Sequence, residues 1–446
     1  MIYSFLLFAG IQSVQAMPVE FEKDSNLPLV HISVVLKTGS VSDPKGQYGI
    51  TNFLGELMAR GTKTRTKHQI DLEMDQMGAQ FDVETRAEMM IFRGSVLARE
   101  KKKFLNLVRE ILTDPSFPEA ESRKLKKEIV TSILENLGRD QGLANQRFSE
   151  VLFSGHEFSK PILGRKKDIE DLTQEQLKKH YSKWFHDQNL FITGSGDAGQ
   201  GEIRDFADQL TAGLKDNIAD KATAGIPAPK HLSKKRFVII DKPDRTQVQI
   251  QAGQVGIRFD DPRYFKLYLA NHAFGGGGFT SRLMQEIRVK RGWSYGAASH
   301  FRFGTQPRSW QYGLFPKSDY AVEALKKTFD MVQSLKDNGI TEAEFEFSKS
   351  SSINSAGFSF NTPQKRSENR ILEIAFGLPK GFMERTAAEL KNLSLSEVNS
   401  AVKDFLQPDQ MAVVIVGTAK DLVPAMTEKL GISEKDIEVF PYTKEL

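Results

Sequence analysis

At 446 residues the chain is too long for one comfortable hydrophobic core and is expected to fold as two or more domains. Its 39% hydrophobic and 26% charged residues are ordinary for a soluble globular protein, and a formal net charge of +4 is small for this length. The basic clusters Lys101-Lys102-Lys103 and Lys124, Lys126 and Lys127 sit beside Glu100 and Glu128 in helical segments, which describes solvated helix faces rather than a nucleic-acid surface. With no cysteine, disulfide frames and thiol chemistry are excluded.

The first sixteen residues carry no charge, run apolar from Ile2 to Ile11 and end on Val14-Gln15-Ala16. That is the pattern of a secretory signal peptide cut after Ala16, without the usual basic start, so the expected location is the periplasm or another exported compartment. A buried N-terminal strand is the alternative. No other run is long enough to span a bilayer.

Leu27 to Thr38 alternates and reads as a strand, which feeds a helix beginning at Ile50. In that helix Ile50, Phe53, Leu54, Leu57 and Met58 fall at i, i+3, i+4, i+7 and i+8, the spacing of one buried face, while Asn52, Gly55 and Glu56 point the other way. Gln69 to Met77 is a short helix stopped by Gly78, and the alternating runs Gln80–Thr85 and Met89–Leu97 suggest a hairpin. Helices are expected over Glu100–Leu112, Glu119–Leu137 and Gln141–Leu152. Thr173 and Gln176 form a capping-box pattern before a helix at Leu177–Phe185; a strand at Asn189–Thr193 and a helix near Gly201–Leu214 follow.

Residues 215–235, with Ile226-Pro227-Ala228-Pro229, have linker composition, and the pattern then starts again. Gln247–Gly256 is a strand, Tyr264–Phe274 an apolar-faced helix, and Gly292-Trp293-Ser294-Tyr295 answers Gly78-Ala79-Gln80-Phe81 between helix and strand. Phe301–Leu314 completes a hairpin, Asp319–Leu335 and Thr341–Ser355 supply long helices, and Ser394 with Glu397 repeats the capping box before a strand at Met411–Val416. A period of half the chain is far too long for a solenoid and implies duplicated α+β domains, each an antiparallel-rich sheet packed with helices. The expected division is a signal peptide (1–16), an N-terminal domain (17–214), a linker (215–235) and a C-terminal domain (236–446).

The Gly49–Thr62 stretch resembles the metal-binding helix of the pitrilysin/insulinase family of zinc peptidases, which includes the mitochondrial processing peptidases. That helix carries H-x-x-E-H and then Gly-Thr, matched here by Gly61-Thr62. Asn52 and Glu56 occupy the histidine positions and Gly55 that of the catalytic glutamate. The family's further glutamate ligand maps near Ser132, between Glu128 and Glu135. Zinc takes imidazole, thiolate or carboxylate ligands, and this set supplies one carboxylate where three ligands are needed. None of the eight histidines pair at i, i+3 or i+4 either. No metal is therefore expected in this chain.

The second half resembles the family at another point: the loop Gly275-Gly276-Gly277-Gly278, then a helix, then Arg288 and Tyr295 seven apart. The loop lacks Gly-Lys-Ser/Thr and is no phosphate cradle; its glycines suit close approach to an extended peptide. A phenol can donate to the oxyanion of a peptide-bond transition state, and a guanidinium can hold substrate carbonyls. Taken alone, Arg288 could equally serve a helix C-terminus and Tyr295 strand packing. The resemblance implies substrate binding and oxyanion stabilisation within a complex. In two-chain members one subunit carries zinc and the other the Arg/Tyr pair, so a homologous zinc-bearing partner and peptide substrates are expected, and the chain alone is not expected to hydrolyse peptides. The alternative is an inactive binding or scaffold protein of the cell envelope with no peptidase partner.

Overall fold

The computed structural model describes residues 17–214 and 225–444, so the expected signal peptide lies outside the described residues. The first half builds a sheet from β1 (Val19–Lys23), β2 (Leu29–Leu36), β3 (Gln80–Thr85), β4 (Met90–Leu97) and β5 (Leu190–Gly196) in the order β1-β5-β2-β4-β3. The second half builds one from β6 (Arg236–Asp241), β7 (Gln249–Val255), β8 (Ser294–Phe301), β9 (Ser309–Pro316), β10 (Ala412–Gly417) and β11 (Ile437–Pro441) in the order β11-β6-β10-β7-β9-β8. Removing β11 leaves the same order and polarity: β1 runs parallel to β5 as β6 does to β10, and the remaining pairs are antiparallel. The duplication is thus one topology used twice. Strands β1, β6 and β11 have no counterpart in the pattern-based reading; each is five or six residues long, and β1 and β6 take their pairing partners from residues more than a hundred positions away.

Local signals set the helix boundaries. Thr66, Thr173, Thr341 and Ser394 each form a capping box, in which hydroxyl and N3 side chain satisfy otherwise orphaned N–H groups. The helix expected to reach Phe274 ends as an α-helix at Asn271 and continues as a π-turn over His272–Gly276.

The halves exchange helices. One face of the second sheet, with Val238, Ile240, Val255, Val414 and Val416, packs against Leu143, Phe148 and Val151 of the first half's Asp140–Leu152 helix. In return the second half's Pro363–Ala375 helix lies on β5 and β1 and sets Ile371 among Val35, Met89, Ile91 and Phe191 of the first sheet. Both sheets are therefore covered on two faces, which is why β5 and β10 are buried at every position instead of at alternate ones. Ion pairs fasten each crossing. Arg366 holds Glu22 of β1 through Nε at 2.9 Å, Lys380 reaches Glu20 at 2.7 Å, and Asp140 is held by Lys242 at 2.7 Å and by Arg245. The described part of the linker region is also anchored: Ile226 and Leu232 pack on the first core, and His156 Nε2 lies 2.8 Å from the Pro227 carbonyl oxygen. Among the described residues no helix is long and apolar enough to cross a membrane.

Because Ile371 belongs to one half and its cavity to the other, Ile371→Ala should cost about 2–5 kcal/mol and lower both halves in one transition. Calorimetry combined with urea unfolding would show this; two separated transitions, with only the second half affected, would contradict the exchange.

Candidate functional site

The Ile50–Met58 helix starts at Gly49, whose φ of 91° is left-handed and whose Cβ position would lie 2.5 Å from the Leu163 carbonyl oxygen, so only glycine fits. Buried Asp43 caps this start, accepting from Gly49 N at 2.6 Å, Thr51 N at 3.2 Å and Thr51 Oγ1 at 2.5 Å. Thr51 Oγ1 also meets His180 Nε2 at 2.9 Å; with the hydroxyl proton given to Asp43, the imidazole donates. Burial drives the Asp43 carboxyl up to about 7 against these hydrogen bonds, and drives His180 down to about 3, with Lys183 adding to the effect. Among the histidines, His180 is thus a core residue that braces the helix start.

The far face of that helix is not open to a metal. Asn52 is 7% exposed and its amide donates to Glu56 Oε1 at 2.9 Å, so the two residues at the histidine positions bind one another. Burial raises the Glu56 pKa above the ordinary carboxylate value. At Gly55 an added Cβ would meet Met90 Sδ at 2.7 Å and Val83 Cγ1 at 3.0 Å, so the space a catalytic glutamate would need is filled from β3 and β4. Ser132 is exposed on the Glu119–Gly138 helix and makes no hydrogen bond to Asn52 or Glu56. One turn earlier on that helix Glu128 forms a fork with Arg60 at 3.2 and 2.6 Å, closing the end of the emptied motif with a cation. Among the described residues no three His, Cys, Asp or Glu side chains converge as metal ligands. Zinc does not fit this site.

The second constellation is built differently. Arg288 lies on a π-turn over Met284–Lys290, a geometry frequent at functional positions, and Tyr295 follows on edge strand β8. Arg288 Nη1 donates to the Tyr295 carbonyl oxygen at 2.8 Å, and its guanidinium carbon stands 4.7 Å from the centre of the Phe279 ring. Backbone and ring together hold the cation in one posture. A bulge between Ser294 and Ala297 interrupts the β8–β9 ladder, where Ser294 Oγ donates to Gly296 O at 2.6 Å and accepts from Phe315 N at 3.1 Å. Tyr295 is 64% exposed, and its hydroxyl makes no hydrogen bond among the described residues. Phe279 before the π-turn, Val289 within it and Phe315 on β9 are exposed and give the region an apolar character.

The glycine loop departs from expectation. Added Cβ atoms at Gly275, Gly276 and Gly277 would fall 2.5 Å from Ser299 Oγ, 2.8 Å from Asn271 Nδ2 and 2.8 Å from His272 O, so three of the four glycines allow the protein to approach its own chain. Gly278 alone has a left-handed φ of 62° with open space beside it. Sequence reasoning missed Met90 and Val83 as the filling of the catalytic space, Phe279 as the platform under Arg288, and Ser294 as the bulge residue. Met90 and Val83 act across the chain, whereas Phe279, next to the glycine loop, and Ser294, next to Tyr295, each had a signal nearby.

These features describe a duplicated α+β fold with a closed helix face at Asn52, Gly55 and Glu56 and an Arg288 guanidinium bonded to the backbone of Tyr295. Residues 19–180 match the family described as insulinase (peptidase family M16), and residues 171–352 match the peptidase M16 inactive domain. The chain belongs to this peptidase family. It is 30% identical to an uncharacterized zinc protease of Rickettsia bellii over 282 residues, 62% of this chain and 66% of that protein, so the match spans just under two thirds of the relative. A non-peptidase homolog of Helicobacter pylori is 22% identical over 91% of this chain and 92% of its own length. The fold is similar to the crystal structure of a peptidase M16 inactive domain from Pseudomonas fluorescens, with TM-score 0.84 and 24% identity over 91% of this chain and 96% of that one. The inactive-domain match and the non-peptidase relative fit a non-catalytic member.

Two outcomes follow from the packing. Gly55→Glu must displace Met90 and Val83 and bury a carboxylate, so it should lose at least about 2 kcal/mol, and adding Met90→Ala should restore part of that loss. Additive costs in urea unfolding of the two single and the double variants would contradict the occupied space. His180, held low, binds no proton in the folded chain between pH 6.5 and 3 while the unfolded chain does, so it withdraws stability on acidification at up to about 1.4 kcal/mol per pH unit. Asp43, raised from 3.8 to about 7, acts in the opposite sense, because the folded chain holds the extra proton between those values. In His180→Gln the Asp43 effect stands unopposed, so its stability should rise relative to wild type between pH 6.5 and 4; parallel pH profiles would refute the opposition.

Proposed function

We propose that the protein is the non-catalytic, Arg/Tyr-bearing subunit of a two-chain zinc metallopeptidase, exported from the cytoplasm, that holds peptides or unfolded segments for a homologous zinc-bearing partner. The observation that carries the reading is an asymmetry within one chain. The space at Gly55 is filled and its neighbours are bonded to each other, whereas Arg288 is held by a carbonyl and an aromatic ring and the Tyr295 side chain is left to solvent. A donor fixed beforehand lowers the barrier more than one that must be ordered during reaction, which describes Arg288 here, whereas the exposed Tyr295 phenol would be set by the bound peptide.

Edge placement of β8 supports the same reading, because an edge strand can receive an extended peptide by main-chain hydrogen bonds with little side-chain selectivity. Zinc and the activated water would come from the partner. Arg288 would orient carbonyl oxygens of the peptide, and the Tyr295 hydroxyl would donate to the oxygen that becomes negative in the transition state.

The test uses this chain, a co-encoded homologue bearing H-x-x-E-H, and their mixture, assayed on an unstructured peptide. Cleavage is expected from the mixture and not from this chain alone. Arg288→Ala and Tyr295→Phe should each lower kcat/KM by about ten- to a thousandfold with zinc content unchanged. An active mixture indifferent to both substitutions would be decisive against the assigned roles, and an inactive complex would favour the scaffold reading.

A further inference from the structure

A second recess lies where the two halves meet. A cavity of about 270 Å³ is bounded by the Glu119–Gly138 and Asp140–Leu152 helices and the 158–164 loop of the first half, and by the β8–β9 hairpin of the second. Arg302 and Arg308 stand at the two ends of that hairpin's loop, closed by the Arg302 N to Ser309 O bond of 2.7 Å. Both line the cavity, with Lys160, Asn145 and Gln146 facing them from the first half.

The arginines are unusual in what they lack. Neither forms an ion pair or a side-chain hydrogen bond among the described residues, and Arg308 Nε is buried without a partner. Glu88, a carboxylate packed against the loop, accepts from Thr305 N at 3.0 Å and from the Thr305 hydroxyl, and it attracts the Arg308 guanidinium electrostatically without forming an ion pair with it. The Arg308 guanidinium rests on the Phe158 ring at 5.0 Å, which orients it without neutralising it. Burial and the neighbouring Arg302, partly offset by the Glu88 carboxylate, bring Arg308 down to about 10, so it remains charged at neutral pH. Arg302 is more open, lying in a recess that still admits solvent while surrounding protein lowers its pKa. The Lys160 ammonium is held by Val41 O at 2.6 Å and Asp43 O at 2.9 Å and adds a fixed positive charge to the opposite wall. Asn145 and Gln146 have amides with no hydrogen bond of their own among the described residues.

Arg308 Nε is a buried donor with no partner, and a buried donor left unsatisfied is costly unless something supplies the acceptor. Guanidinium groups match planar or tetrahedral oxyanions with paired N–H donors. We propose that this cavity is a binding pocket for a small molecule bearing a carboxylate or phosphate group, whose oxygens Arg302 and Arg308 take while the Asn145 and Gln146 amides hold the rest. The pocket lies within one chain, so it does not depend on the peptidase reading. Its ligand would bridge the halves at the same seam that the crossing helices close.

The experiment uses the full chain alone, at constant ionic strength set with chloride. Inorganic phosphate and glutarate are titrated separately by calorimetry and by thermal unfolding. One of them is expected to bind saturably at one site per chain and raise Tm, phosphate indicating a phosphate-bearing ligand and glutarate a carboxylate. Arg302→Gln should weaken that binding at least about tenfold, and Arg302→Gln with Gln146→Ala further, with the far-UV circular dichroism unchanged. Arg308→Gln should abolish binding; if it does not fold, the Arg302 and Gln146 variants carry the test. No saturable binding by either probe, or binding unaltered in Arg302→Gln, would overturn the proposal.

Discussion

The structure depends on a reciprocal burial: neither sheet can hide both its faces with its own half's helices. The Asp140–Leu152 helix of the first half covers the second sheet, and the Pro363–Ala375 helix of the second half covers the first. Since the driving force is apolar area removed from water, and each sheet's second face is removed only by the other half, the two repeats stabilise each other. The ion pairs at Glu22, Glu20 and Asp140 fix the angle of each crossing more than they add stability, because they are partly exposed. The same arrangement positions the β8–β9 hairpin against the first half and so creates the cavity holding Arg302 and Arg308.

Within that frame the two repeats have diverged chemically. In the first, the helix that would carry metal ligands keeps its buried face and its capped start. Its outer positions have closed on themselves through the Asn52–Glu56 bond and the thioether of Met90. Restoring metal chemistry would require space as well as ligands. In the second repeat a π-turn and a bulge, both departures from regular ladders, hold Arg288 and present Tyr295 at a sheet edge.

Much of this was legible in the residues. The five apolar positions of the Ile50–Met58 helix, the capping boxes at Thr173 and Ser394 and the β3–β4 hairpin are local patterns, and local patterns survive in sequence because their partners lie three or four residues away or across one turn. The Pro363–Ala375 helix was overlooked although Thr362 before Pro363 is an N-terminal signal, because its start is polar and its apolar face belongs to another half's sheet. Strands β1 and β6 were overlooked because short parallel strands announce themselves only through distant partners.

The sequence by itself determined the duplication, the α+β class, the absence of the two histidines and the glutamate, and the Arg288–Tyr295 spacing, since each is a matter of residue identity and interval. Tertiary structure alone decided which half covers which sheet, what fills the room beside Gly55, how Arg288 is held, and that two arginines line one cavity with Arg308 Nε left without a hydrogen-bond partner. Those outcomes depend on contacts between segments dozens to hundreds of residues apart, and no periodicity along the chain records which distant surfaces will exclude water together.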